Sequence, residues 1–357
     1  MQSLHICLLG GDGIGPEVAA AAVSVLEAAG VRYGFSLDVR THLIGGAAVR
    51  ATGSPLPPAT RAGCREAHAV LLGAVGSPEF DREPPERKPE TGLLQLRQLL
   101  GAWANLRPVR RLEGAGETPL RPEVVRGTDL IVVRELTSGL YFGQPRGFAP
   151  GREAAFNTMR YSVEEIERLA RHAFELARQR RRHLTSVDKA NVLETSQLWR
   201  EVFESVAAEH SDVRFDQLYV DNAAMQLMLR PTSFDVIATA NLFGDILSDE
   251  AAVLAGSLGL LPSASVGGEV ALYEPVHGSA PELAGQGVAN PYGAILSAAL
   301  MLRYSFQMEF PATAIEKAVE EALTAGVRPR DLAPAGAAAA STEACTRAVV
   351  ERMAARA

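Results

Sequence analysis

His5-Ile-Cys-Leu-Leu-Gly10-Gly-Asp-Gly-Ile-Gly15-Pro16 stands at the start of the chain. A short apolar run passes into closely spaced glycines, and the proline that follows suits the first turn of a helix. The stretch reads as strand, tight turn, helix, with the helix running to about Ala29 and stopping at Gly30. Two nucleotide-binding patterns are excluded by spacing. A G-x-G-x-x-G fingerprint begun at Gly11 and Gly13 would need a glycine where Pro16 stands, and no Lys-Ser/Thr follows to make a phosphate-binding loop. The turn is therefore expected to bring backbone close to something else, in an α/β protein that is not a Rossmann fold.

Outward from this unit the alternation continues. Ser36 to Ile44 reads as a strand, Ala59 to Ala67 as a helix, and Ala69-Val-Leu-Leu-Gly-Ala-Val75 as a strand covered on both faces. Gly76 to Pro89 is a polar, proline-rich loop, and Gly92 to Trp103 has the spacing of an amphipathic helix. Asp129 to Leu136 is a second buried strand, followed by a hairpin-like excursion at Thr137 to Pro150. Three strand–helix pairs begin at His183, Val213 and Phe234; strands near Ser263 and Ala271 and three helices close the chain. Such alternation indicates an α/β architecture, with ligands expected beyond the carboxyl ends of strands. A length of 357 residues exceeds what one core accommodates and suggests two domains.

Composition narrows the classes. A net charge of −7 disfavours nucleic acid and anionic membranes as partners. The one basic run, Arg178-Gln-Arg-Arg-Arg-His183, fits the cationic last turn of a helix. Cys7, Cys64 and Cys345 form no CxxC or Cys/His cluster, which argues against a zinc site or disulfide framework and suggests a reducing, cytoplasmic compartment. No apolar run reaches membrane-spanning length.

Four clusters carry potential chemistry. Arg97, Arg107 and Arg134 could together grip a di- or tricarboxylate, since guanidinium groups bind carboxylates bidentately; singly, each reads as a surface ion pair. Asp245 and Asp249 lie four apart on one helix face and repel unless a cation intervenes. With Asp221 after another strand, they offer the oxygen-only set preferred by Mg²⁺ or Mn²⁺, although acids near a helix start are also favoured by its dipole. Lys189, at a strand end beside Asn191, could act as a base, with Tyr141 as its acid partner. Finally, Glu274-Pro-Val-His277-Gly278-Ser279-Ala280-Pro281-Glu282, with Asn290 beyond, offers exposed backbone N–H groups of the kind diphosphates favour. Glu282 could take both ribose hydroxyls, which favours NAD over NADP.

Taken in order along the chain, these stretches resemble the isocitrate/isopropylmalate dehydrogenase family, and within it the 3-isopropylmalate dehydrogenases. The resemblance rests on Gly11 to Glu17, Glu90-Thr-Gly-Leu-Leu94 through Arg97, Ala104 to Pro108, Val133 to Thr137 and Leu140 to Gly143. It continues through Ser186 to Asn191, Val220 to Met225, Asn241 to Glu250 and Glu274 to Asn290. It spans nearly the whole chain.

The resemblance implies oxidative decarboxylation of 3-isopropylmalate with reduction of NAD, a step of leucine biosynthesis. Arg97, Arg107 and Arg134 would hold the substrate carboxylates. Asp221, Asp245 and Asp249 would hold one Mg²⁺ or Mn²⁺, with Asp221 and Lys189 coming from the partner of a homodimer. Lys189 would assist deprotonation of the C2 hydroxyl and Tyr141 would act as acid after decarboxylation. Glu90, Leu93, Leu94 and Val192 would shape the isopropyl pocket. Ile14, Gly76, Glu90, Asn191, Glu274, His277 to Glu282 and Asn290 would hold NAD. The implied domains are 1–102 plus 256–357 for the cofactor, and 103–255 for dimerisation, metal and substrate, with an interlocking arm near 137–160. Rival readings are a sibling enzyme for D-malate, tartrate or homoisocitrate, a silent regulatory subunit, and a nucleotide-triphosphate module. The sequence departs from the family at Ser77-Pro-Glu-Phe80, at Ser138, at Glu282 where aspartate is usual, and over Arg328 to Ala340.

Overall fold

The computed structural model describes residues 2–354. Its strands are β1 (Gln2–Gly11), β2 (Phe35–His42), β3 (Ala69–Ala74), β4 (Ala104–Arg110), β5 (Asp129–Glu135), β6 (Gly147–Phe148), β7 (Ala155–Phe156), β8 (His183–Asp188), β9 (Arg214–Tyr219), β10 (Val236–Thr239), β11 (Pro262–Val266) and β12 (Ala271–Pro275). Its helices are α1 (Gly15–Tyr33), α2 (Gly45–Thr52), α3 (Pro58–Glu66), α4 (Pro89–Leu100), α5 (Pro122–Val125), α6 (Val163–Gln179), α7 (Glu194–Ala208), α8 (Val220–Leu229), α9 (Asn241–Ala255), α10 (Tyr292–Tyr304), α11 (Glu309–Thr324) and α12 (Thr342–Ala354). No described helix is long and apolar enough to cross a membrane.

The chain divides into two compact units. The first runs through residue 102, takes in 112–119 and resumes at 255; the second holds 103–111 and 120–254. The short segment 112–119, expected in the second domain, packs with the first: Arg328 Nε donates to the Gly114 carbonyl at 2.6 Å, and a Cβ on Gly114 would lie 2.5 Å from Leu323 backbone.

In the first unit the strand order is β2-β1-β3-β12-β11, parallel except for the antiparallel pair β11–β12. Strand β3 is buried along its whole length, as its unbroken apolar run requires. Helices α1, α10, α11 and α12 pack together, and α10 is apolar nearly all round because it lies inside this layer. The carboxyl ends of the parallel strands β1, β3 and β12 carry the glycine turn, Gly76 and the His277 loop, so three predicted ligand segments share one edge.

In the second unit the order is β4-β5-β10-β8-β9, with β4 antiparallel to β5 and the rest parallel. Strands β5, β10 and β8 are almost completely buried. Arg134, Asn241, Lys189 and Asp221 follow or end β5, β10, β8 and β9 in turn. The excursion after Thr137 contains a one-turn 3-10 helix, Gly139–Tyr141, and a short antiparallel hairpin of β6 with β7.

Several local expectations shift. Helix α4 begins at Pro89 rather than Gly92 and ends at Gly101, a left-handed cap with φ +62°, so Trp103 lies outside it. The basic run straddles the end of α6: Arg178 is in its last turn, while Arg180 and Arg181 lie past the helix and pair with Asp129 and Asp235. Asp129 and Asp235 thus absorb the charge. The three cysteines are free and buried, with the Sγ atoms of Cys7 and Cys64 3.5 Å apart.

The glycine turn is explained by backbone contact. A Cβ on Gly11, at φ +76°, would lie 1.8 Å from the carbonyl oxygen of Ala74. Gly34 has nearly the same φ, +78°, but open space around it. Gly11→Ala is therefore expected to destabilise the chain by about 2–4 kcal/mol, and Gly34→Ala by only about 1 kcal/mol. Shifts of the urea midpoint check this; equal shifts would mean that the approach to Ala74 is not what selects glycine at position 11.

Candidate active site

The second unit concentrates charge at the carboxyl end of its parallel strands. Arg134, 1 % exposed, would be a costly burial without partners. Its Nη1 donates to Asp245 Oδ1, and its Nε and Nη2 donate to Asn241 Oδ1 at 3.0 and 2.8 Å. The side chain reaches these partners because it runs over Gly244, where a Cβ would lie 2.7 Å from Arg134 Cβ. Arg107 projects from the middle of β4. It donates to Asp249 Oδ1 at 3.0 Å and to Ser248 Oγ at 2.7 Å, lies 3.5 Å from Asp245, and is oriented by Asn105 at 2.8 Å.

Asp245 is thus the meeting point of both arginines, and Tyr141 closes the group by donating to Asp245 Oδ2 at 2.7 Å. Burial, the hydrogen bond to Asp245 and the aspartate's charge together raise the Tyr141 phenol to about 12, against the opposing pull of Arg134 and Arg107. Asp249 is raised above the ordinary carboxylate value by burial, with the Asp245 charge adding to the shift and Arg107 resisting it. Asp245 and Asp249 lie one turn apart on α9, and each has a guanidinium beside it. Both donors are hard oxygens, with no histidine or cysteine ligand beside them among the described residues, which fits a divalent cation such as Mg²⁺ or Mn²⁺.

Lys189 and Asp221 form a separate group at the ends of β8 and β9. Lys189 donates to Asp221 and holds its carboxyl below the ordinary range. Asp188, 1 % exposed, anchors this corner by accepting from Arg200 Nε and Nη2, both at 2.9 Å, and from the Ala190 backbone N–H at 2.9 Å. Asn191 and Val192 are exposed just beyond. Among the described residues, no three His, Cys, Asp or Glu side chains converge on a point where one chain alone would hold a metal. Asp245 and Asp249 come together; Asp221 stands with Lys189 instead.

In the first unit, Gly76, Glu90 and Ser279 are brought together. A Cβ on Gly76 would lie 3.2 Å from Ser279 Oγ and 3.5 Å from Glu90 Oε1. The backbone N–H of Ile14 donates to the Ser279 carbonyl at 2.8 Å, so the glycine turn is clamped to this loop. The Ile14 side chain is buried, and that residue contributes by holding the loop in place. His277 Nδ1 lies 2.9 Å from the Gly278 carbonyl, which makes it the protonated nitrogen, while the buried Nε2 has no partner. Burial lowers the His277 pKa, so the ring is neutral at neutral pH. Gly278 is exposed and open, Ala280 holds a left-handed φ of +37°, and Glu282 is exposed in the short turn begun by Pro281. An acceptor nitrogen without a donor, beside open backbone, fits a cofactor rich in hydroxyl and amino groups.

Other first-unit residues are committed to the fold. Asn290 accepts from the Tyr292 backbone N–H at 3.0 Å and donates to Asp331 at 2.9 Å, so its side chain shapes the start of α10. Arg97 and Glu274, expected to face different ligands, form a buried pair at 2.9 Å, and Arg97 Nε is buried without a partner. Leu93 packs against the core, and Leu94 is half-buried on the same helix. The departure at Ser77 to Phe80 also has a physical reason: Phe80 is buried under Arg50, whose guanidinium pairs with Glu79 at 2.7 Å.

Three buried polar residues escaped sequence reasoning. Asp12 accepts from the backbone N–H groups of Gly46, Ala47 and Gly76 at 2.8, 2.8 and 3.0 Å, tying the glycine turn to α2 and to the end of β3. Asn241 and Asp188 each support the side chains named above. An Asp or Asn in a turn or at a helix start reads as a cap, and only the fold reveals the other partners.

A family description, Isocitrate/isopropylmalate dehydrogenase, matches residues 5–349. The chain belongs to the isocitrate/isopropylmalate dehydrogenase family. Its relatives include the 3-isopropylmalate dehydrogenase of Aquifex aeolicus, 52 % identical over 99 % of this chain and 98 % of that one. The 3-isopropylmalate dehydrogenase of Moorella thermoacetica is 57 % identical over 92 % of each. Among solved structures, an isocitrate dehydrogenase from Methylococcus capsulatus superposes with a TM-score of 0.89 at 39 % identity, covering 98 % of this chain and 99 % of that one. The α/β architecture of this family is the one described above.

Because Tyr141 keeps its proton well beyond neutrality, the metal-free chain minus its Tyr141→Phe variant is expected to show no tyrosinate absorbance until about pH 11. A Tyr141 signal rising near the ordinary tyrosine value would contradict the Asp245 contact.

Proposed function

We propose that the chain catalyses the NAD-dependent oxidative decarboxylation of 3-isopropylmalate to 4-methyl-2-oxopentanoate, in leucine biosynthesis. The observation that carries this reading is the group in which Arg107 and Arg134 hold Asp245 and Asp249 while Tyr141 donates to Asp245. It joins guanidinium groups for a dicarboxylate, oxygens for a cation and a protonated phenol for the last step.

Asp245 and Asp249, with Asp221, would hold Mg²⁺ or Mn²⁺, and the loops at Gly76 and His277–Glu282 would hold NAD. When bound, the cation would favour ionisation of the C2 hydroxyl and the carbonyl-stage charge, and NAD would accept the C2 hydride. Arg107 and Arg134 orient the substrate carboxylates. Lys189 takes the C2 hydroxyl proton. Tyr141 gives its phenolic proton to C3 after carbon dioxide leaves. Glu90, Leu93 and Leu94 of α4 are assigned to the isopropyl group of the substrate. An apolar wall of this kind distinguishes substrates by about 1–3 kcal/mol per methylene, so other 3-alkylmalates should turn over more slowly.

The working form is a homodimer in which Asp221 and Lys189 act in the partner's site. Two features support this. Asp221 does not join Asp245 and Asp249 within one chain. The second unit also exposes apolar side chains on α8 and α9 and on the hairpin: Met225, Leu229, Ile246, Phe148 and Phe156. Met225→Glu with Leu229→Glu should convert a dimer to monomers in sedimentation; an unchanged sedimentation coefficient would place the interface elsewhere.

NADH formation tests the activity directly. With Mg²⁺ and NAD⁺, 3-isopropylmalate should be used about 100-fold better in kcat/KM than D-malate or isocitrate, EDTA should abolish turnover, and Tyr141→Phe should reduce kcat by about 100-fold or more. Preference for D-malate, tartrate or isocitrate would overturn the assigned roles of Glu90, Leu93 and Leu94.

A further inference from the structure

Asn241 is completely buried at the start of α9 and has no role in the chemistry assigned above. The direction of its amide is fixed by its neighbours. Oδ1 accepts two guanidinium N–H groups of Arg134, at 3.0 and 2.8 Å, and Nδ2 donates to the Ser138 carbonyl at 3.1 Å. The opposite orientation would set an NH₂ against a guanidinium and an oxygen against a carbonyl. The Asn241 backbone N–H donates to Tyr161 Oη at 2.9 Å, the same oxygen that lies 2.1 Å from where a Cβ on Gly139 would be.

One amide therefore links Arg134 to the backbone just ahead of the Gly139–Tyr141 turn. At the far end of both connections, Arg134 and Tyr141 meet on the two oxygens of one carboxylate, Asp245. The Arg134 guanidinium also lies 5.6 Å from the centroid of the Tyr141 ring. The loop is closed through Asn241, Arg134, Asp245, Tyr141 and Ser138, with Asn241 opposite the Asp245 carboxylate. The departure at Ser138 adds to the same clamp, since its hydroxyl donates to Glu165 at 2.6 Å; its backbone N–H, which any residue there would supply, donates to Glu135 at 2.9 Å.

We propose that Asn241 is a positioning residue that fixes the Tyr141 phenol relative to Arg134 and so governs proton delivery to C3. The inference rests on the function proposed above. In the step concerned, the π pair of the enolate forms the new C3–H bond with the phenolic proton and its oxygen becomes the C2 carbonyl, the Tyr141 O–H electrons remain on oxygen, and solvent returns a proton to the phenolate.

Two substitutions separate the two ends of the amide. Asn241→Asp keeps an oxygen for Arg134 but sets the second oxygen against the Ser138 carbonyl. Asn241→Ala releases both partners. Exchange of the C3 protons of 4-methyl-2-oxopentanoate with D₂O, followed by NMR in the presence of Mg²⁺ and NADH, reads the proton step alone. Asn241→Asp should lose about tenfold or more of this exchange while KM for 3-isopropylmalate stays within about threefold; Asn241→Ala should lose the exchange and raise KM about tenfold as well. Deuterium uptake of segment 137–143, measured by mass spectrometry, should rise in both variants. If neither folds, Asn241→Ser, which can serve only one of the two partners, carries the same expectation for uptake and exchange. Unchanged exchange per folded molecule, or unchanged uptake in 137–143, would overturn the positioning role. Failure of the unsubstituted chain to turn over any substrate would overturn the proposed function instead, and the uptake measurement would still decide the clamp.

Discussion

Asp245 and Asp249 repel one another, and the second unit is arranged to bear that repulsion. Two carboxylates one turn apart on a helix are unfavourable unless positive charge stands beside them. Here the compensation comes from Arg134, itself buried at the end of β5, and from Arg107 in the adjacent antiparallel strand. Each guanidinium would be costly to bury without the carboxylates, and the more exposed carboxylates are relieved of their mutual repulsion by the guanidinium groups. The register of β4 against β5, the absence of a side chain at Gly244 and the burial of Asn241 all serve this exchange.

This arrangement connects stability with function. A group that balances its own charge so closely leaves a protonated phenol facing a carboxylate, with the nearby Asp249 raised by burial. The parallel strands β5, β8, β9 and β10 deliver the participants to one edge, where ligands of α/β sheets usually lie. The first unit follows the same rule with β1, β3 and β12, whose ends bring the glycine turn, Gly76 and the His277 loop together.

Much of the strand–helix alternation was legible because doubly covered strands must be apolar throughout, as Ala69–Ala74 and Asp129–Glu135 are in their interiors. Strand β4 was not, because Arg107-Pro108 interrupts any apolar pattern and its pairing to β5 is visible only in three dimensions. The helical spacing of Asp245 and Asp249 was readable as one face, a local property. The Arg97–Glu274 pair was not, since 177 residues separate the partners in sequence. Asp12 and Asn241 were passed over for a related reason: short polar side chains beside turns and helix starts satisfy local backbone groups so often that a longer-range role has no separate signature.

We propose that Asp245, Asp249 and Tyr141 of one chain are completed by Lys189 and Asp221 of another. Mixing two nearly inactive variants, Lys189→Met and Tyr141→Phe, after partial denaturation and refolding tests it most directly. In a randomly mixed population each hybrid dimer has one site with both defects and one site with neither, so about a quarter of the unsubstituted activity should return. A mixture as inactive as its parents would mean that each chain completes its own site, and would contradict the account.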